Sequence, residues 1–148
     1  MPVATRRGGD DRGSSLMLWP AAVLIVLLLA SIAFDFSVIL LGRRELLWAA
    51  DAAANDAATF GIDQAHFRAS NEIRFEPTRL EEAVTRSLRA RDLRFELAGA
   101  PDIDVEGDTV RVTLSAQVPY LFADAFPGLP DRVLVTVTAE SEPVASGP

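Results

Sequence analysis

The sequence predicts an α+β protein. A single N-terminal transmembrane helix extends beyond the membrane, followed by a second short helix and a small antiparallel sheet of three to four strands. Three observations carry that prediction. The run Leu16–Leu41 is apolar apart from one charge, Asp35. An alanine-rich stretch without proline follows it. The last third of the chain switches from a helical to a two-residue hydrophobic period.

The apolar run comes first. As a helix it is about 39 Å long at about 1.5 Å per residue, more than a ~30 Å hydrocarbon core requires. It is longer than the ~7–15 apolar residues of a signal peptide. Arg43 and Arg44 close it rather than a small-residue cleavage site, so the expectation is an uncleaved anchor. Trp19 suits an interfacial position, and Pro20 is expected in the first helical turn, where its missing N–H costs little. Asp35 has two readings: a helix–helix contact in an assembly, or a headgroup position if the span ends near Phe34.

These features divide the chain into a disordered cytoplasmic head at 1–13, a transmembrane helix at 14–41, an extracytoplasmic α+β domain at 42–140 and a disordered tail at 141–148. Residues 42–148 carry the whole net charge of −7. The bulky acidic part is therefore placed outside, with the N-terminus in the cytoplasm.

The helix is expected to continue through LLWAADAAANDAATF, since alanine is the best helix former, and to end at Gly61. Arg44, Asp51, Asn55 and Thr59 share one stripe, while Leu46, Leu47, Ala50, Ala54 and Ala57 lie on other faces. The small side chains suit either packing against other helices or covering the chain's own sheet. Asp35, Gly42, Asp51 and Asn55 are the candidates for helix assembly.

Ile62–Glu76 has no clean period. Asp63 and the single histidine, His66, are spaced as two ligands on one turn, but no other His and no Cys exists to complete a metal site. Thr78 and Glu81 read as a capping box opening the next helix. Leu80, Ala83, Val84 and Leu88 form its apolar face, and Arg79, Glu82, Arg86 and Arg89 its polar one, with Glu82 supporting Arg86.

Alternation then marks strands. Leu93, Phe95 and Leu97 suggest a short one, Ile103 and Val105 a second, Val110–Val118 the clearest, and Val133–Ala139 the last, with a turn at Gly107-Asp108. Asp102, Asp104 and Glu106 read as a solvated edge rather than a cation site. The connection 119–131, PYLFADAFPGLPD, is long and apolar for a hairpin loop. Either it folds over the end of the sheet, or it offers Tyr120, Phe122 and Phe126 to a membrane or a partner.

The composition excludes several functions. An acidic domain has no electrostatic reason to hold nucleic acid. Zero cysteines exclude disulfides and thiol chemistry. With one histidine and no glycine-rich phosphate loop, no catalytic, cofactor or metal residues are assigned and enzyme activity is not expected.

The Arg/Gly head ending in RGSS, the late Asp35 and the run GRRELLWAADAAANDAA together resemble the N-terminal region of TadE/TadG-like proteins of the Flp (tight-adherence) pilus system. Asp35 matches the family's late helix acid. Arg43, Glu45, Leu46, Ala49, Ala50, Asp51, Ala52, Ala53 and Ala54 match its following segment. The likeness covers about residues 12–60. It implies a membrane-anchored minor pilin-like or assembly subunit of the cell envelope. Its partners would be other pilus subunits, in a homo- or hetero-oligomer, and membrane lipid. Prepilins of that kind processed after Gly13 carry Glu at the fifth mature residue, where this chain has Leu18, so a main filament pilin is not implied. The alternative reading is a solitary anchored envelope protein whose outer domain binds a partner or lipid.

Overall fold

Helix α1 runs unbroken from Arg12 to Phe60, 49 residues, in a computed structural model that describes residues 12–122, 128 and 130–143. The expected head (up to residue 11), Phe126 and the tail from 144 lie outside the described residues. Because α1 begins at Arg12, Pro20 falls inside the helix rather than in its first turn. There it removes one i→i−4 hydrogen bond, a loss that membrane-type helices tolerate.

The two halves of α1 differ in surroundings. None of its most apolar window is buried, and it is the one helix among the described residues long and apolar enough to cross a membrane. From Gly42 onward the helix becomes the axis of a folded domain, packing on α3 and on strands β2 and β3, defined below. Leu46, Ala49, Ala50, Ala53, Ala54, Ala57 and Ala58 are all buried. Alanine at these positions lets the sheet and a second helix approach the α1 backbone closely, which larger side chains would prevent.

After Phe60 the chain forms a closed loop. Ile62 bridges Phe75, the Asp63 amide donates to Arg74 O at 2.7 Å, and the Glu76 amide donates to Gly61 O at 2.9 Å. Inside it lies α2, Gln64–Ser70, a helix that the irregular hydrophobic period concealed. Helix α3, Pro77–Arg89, buries Leu80, Ala83, Val84, Ser87 and Leu88, as its spacing predicts apart from Ser87. The capping box does not form. Glu76 is the N-cap residue and makes no side-chain cap bond, and Pro77 starts the helix, so Thr78 already lies within it. Among the described residues the ion pair here is Arg79 with Glu76 at 2.7 Å, not Glu82 with Arg86.

The sheet is an antiparallel meander, β1 (Asp102–Glu106), β2 (Thr109–Pro119) and β3 (Arg132–Ser141), in the order β1-β2-β3. Glu106 pairs with Thr109 across the two-residue turn Gly107-Asp108, where Gly107 takes a φ of 62°. Val110, Val112, Leu114, Ala116 and Val118 of β2 and Val135, Val137 and Ala139 of β3 face the helices. Burying each of the larger side chains contributes about 1.5–3 kcal/mol.

The segment Leu93–Leu97 is not a strand. Its apolar residues turn inward as alternation predicts, but the Arg94 amide donates to Glu45 Oε1 at 2.8 Å instead of to a neighbouring strand. Only Leu97 bridges β2, at Ala116. Strand β1 takes the same β2 edge along Thr109–Thr113.

Candidate functional site

The candidate site lies where the folded domain meets the apolar half of α1. Val38 and Ile39 are the first α1 residues packed against the core, and Gly42 is the first fully buried one. A Cβ on Gly42 would stand 3.0 Å from Phe95 Cε2 and 3.1 Å from Val118 Cγ2. Gly42 is thus a point of close approach within the chain, not a surface for a second helix. Gly61 has the same function at the far end. It lacks the left-handed φ of a helix-ending glycine, but a Cβ there would meet Leu80 and would lie 2.5 Å from Ala57 O.

Below Val38 one further element touches α1. The segment after β2 turns down the helix, and Asp35 Oδ1 accepts the Leu121 amide at 2.7 Å and the Phe122 amide at 3.1 Å. The rings of Phe34 and Phe122 meet with centroids 6.3 Å apart and planes tilted by 52°. The Tyr120 amide donates to Asp131 O at 2.9 Å and holds the two ends of the β2–β3 connection together. Three successive amides, at 120, 121 and 122, therefore all have partners, and two of them share one carboxylate oxygen. Two adjacent N–H groups converging on a single carboxylate oxygen form a clasp between the loop and α1.

Neither sequence reading of Asp35 anticipated this. Its half-buried carboxylate serves a loop of its own chain. The 119–131 connection reaches α1 at Leu121 and Phe122. Leu121 and Phe122 nevertheless keep 60% and 42% of their surface exposed. Phe34 on α1, against Phe122, is 59% exposed.

Asp51 and Asn55 stand exposed on α1, on the side opposite the buried alanines. Trp48, one turn below, is 67% exposed. The alanine face is consumed inside the chain, which decides between its two readings in favour of covering the chain's own sheet and α3. Of the four assembly candidates, Asp51 and Asn55 remain free to meet another molecule, whereas Gly42 is buried and Asp35 holds the loop.

Several other polar groups have partners within the chain. Asp63 Oδ1 accepts the amides of Ala65 at 2.9 Å and His66 at 3.1 Å and so caps α2. The His66 amide is the main cause holding the Asp63 carboxyl below its ordinary pKa, and the Ala65 amide adds to it. The Asp63–His66 spacing is a helix cap rather than half a metal site. No group of three metal-ligating side chains occurs among the described residues. Asp104 and Glu106 already have a cation, Arg111, at 3.7 Å each, and Arg111 also bonds Glu140 Oε1 at 2.7 Å. That last bond chiefly raises the Arg111 pKa. Arg111 thereby links all three strands on the outer face, next to the hydroxyl pairs Thr113–Thr138 and Ser115–Thr136.

Comparison with family models, curated proteins and solved structures finds no match for the chain.

Proposed function

We propose that the chain is a membrane-anchored, non-catalytic minor pilin-like or assembly subunit of a Flp/Tad-type pilus. The N-terminus is cytoplasmic and the sheet domain lies outside. The observation that carries this reading is the two-part α1: one 49-residue helix whose first half is bare and apolar and whose second half is the core axis of a small sheet domain. Such a subunit has one half to share with neighbours in the bilayer and a domain that moves rigidly with it. Lateral contacts would use the exposed α1 face of Trp48, Asp51 and Asn55 together with the bare span. The likeness of residues 12–60 to TadE/TadG-like proteins supports the same reading.

Photo-crosslinkers placed singly at Trp48, Asp51 and Asn55 in the full chain, in its native cells, test it. Adducts with other single-helix envelope subunits are expected. A chain that stays free of adducts at all three positions, while still inserted in the membrane, would overturn the pilus reading. That outcome would favour a solitary envelope protein binding lipid or a partner through its outer domain, for which the exposed Leu121 and Phe122 speak.

A further inference from the structure

We infer that Tyr120–Phe122 is a second membrane contact, inserted beside α1 into the boundary between headgroups and acyl chains, with lipid as its partner. The inference rests on reading the bare half of α1 as a membrane span. If Trp19 marks one interface, Asp35 lies sixteen residues on, about 24 Å along the axis, inside the reach of a ~30 Å hydrocarbon core. The clasp brings the loop down to that level, a turn below the first core contacts at Val38 and Ile39.

A segment at such depth must meet two demands. Its backbone N–H groups need partners, because lipid supplies none. Its outward side chains must be apolar. Tyr120–Phe122 satisfies both: the amides bond to Asp131 O and Asp35 Oδ1, and Leu121 and Phe122 point an apolar surface outward. That surface adjoins exposed Phe34 on α1, whose ring meets Phe122. In water the exposed leucine and phenylalanine would be a cost, whereas in the bilayer boundary they stabilise. A helix alone leaves its domain free to swivel about the membrane normal and to tilt. Two contacts, α1 and the loop, would fix the face that the domain presents.

The absence of cysteine allows a clean test. Leu121→Cys, Val26→Cys and Leu134→Cys are each labelled with an environment-sensitive fluorophore in the full chain, reconstituted into phosphatidylcholine nanodiscs. Quenching by spin-labelled lipid is then compared with quenching by aqueous iodide. Val26 reports the bilayer interior, and Leu134 the exposed outer sheet face. At Leu121→Cys, lipid quenching should approach that at Val26→Cys, and iodide quenching should be severalfold weaker than at Leu134→Cys. Adding Asp35→Ala should move the Leu121 label towards the Leu134 pattern and leave Val26 unchanged. A Leu121 label that behaves like Leu134 overturns the inference while leaving the span intact. So does one shielded from both quenchers, which would mean a protein covers it. An iodide-quenched Val26 label would instead remove the span on which the inference depends. A Leu121 label unmoved by Asp35→Ala would show that the clasp does not hold the loop in place.

Discussion

Asp35 and Leu121 stand 86 residues apart in sequence and are joined by a 2.7 Å hydrogen bond from the Leu121 amide to Asp35 Oδ1. The Phe122 amide shares the same oxygen. An acceptor, rather than a charge, is what the geometry uses. Asp35→Asn keeps a side-chain oxygen and should retain the loop. Asp35→Ala leaves two donors without a partner and should cost about 1–3 kcal/mol for each that stays out of water. Amide hydrogen exchange at Leu121 and Phe122 reads this directly: faster in the Ala variant, near the parent rate in the Asn variant. Equal exchange in all three proteins would remove the clasp.

Gly42 sets how close the sheet comes to α1. With a Cβ at 3.0 Å from Phe95 and 3.1 Å from Val118, Gly42→Val forces both neighbours outward. Overpacking of this kind costs about 1–3 kcal/mol. For a domain of this size that lowers Tm by about 5–20 °C. Thermal unfolding of the full chain in detergent micelles, followed by circular dichroism of the sheet, measures it. A Tm unchanged by Gly42→Val would mean that the sheet does not close on the helix there.

Periodicity made most of this fold legible. The two-residue alternation of Val110–Val118 and Val133–Ala139 returned as the two central strands, and the Gly107-Asp108 turn joined the strands it was expected to join. The continuous helix was legible because no break in pattern or composition interrupts it before Gly61. What the pattern missed was set by single hydrogen bonds. Leu93–Leu97 alternates like a strand, yet Glu45 takes the Arg94 amide. Thr78-x-x-Glu81 reads as a cap, yet Pro77 starts the helix earlier. Asp35 was singled out as an ionisable group in an apolar helix, a cue that needs no partner information. Its partner is two backbone amides, and backbone donors leave no mark in a sequence.

The alanine face of α1 gives a prediction with an internal control. Ala53 is fully buried between the sheet and its neighbours, whereas Asn55, two residues on, is exposed. Ala53→Leu should destabilise by about 1–3 kcal/mol or more, as overpacked cores do. Asn55→Leu should stay within about 0.5 kcal/mol of the parent, as surface changes away from special features do. The same pair separates folding from assembly. Loss of crosslinked partners in Asn55→Leu with an unchanged Tm assigns that face to intermolecular contact. An Ala53→Leu protein as stable as the parent would mean that the alanines do not form the core.

Acid should loosen α2, and Asp63 decides the direction. Its carboxylate accepts the amides of His66 and Ala65, which favour the charged form and hold its pKa below the ordinary carboxylate value. The folded state therefore binds fewer protons at this site than the unfolded chain does. The stabilisation is complete above the unfolded pKa of about 3.9 and is lost as pH falls through the lower folded value. Asn is as good an N-cap as Asp, so Asp63→Asn should keep α2 while abolishing this part of the acid dependence. Asp63→Ala should release α2 at every pH. Exchange rates of the Ala65 and His66 amides, followed from neutral pH into acid and corrected for intrinsic exchange, distinguish the three proteins. If Asp63→Asn loses protection at the same pH as the parent, then ionisation of Asp63 is not what holds the cap.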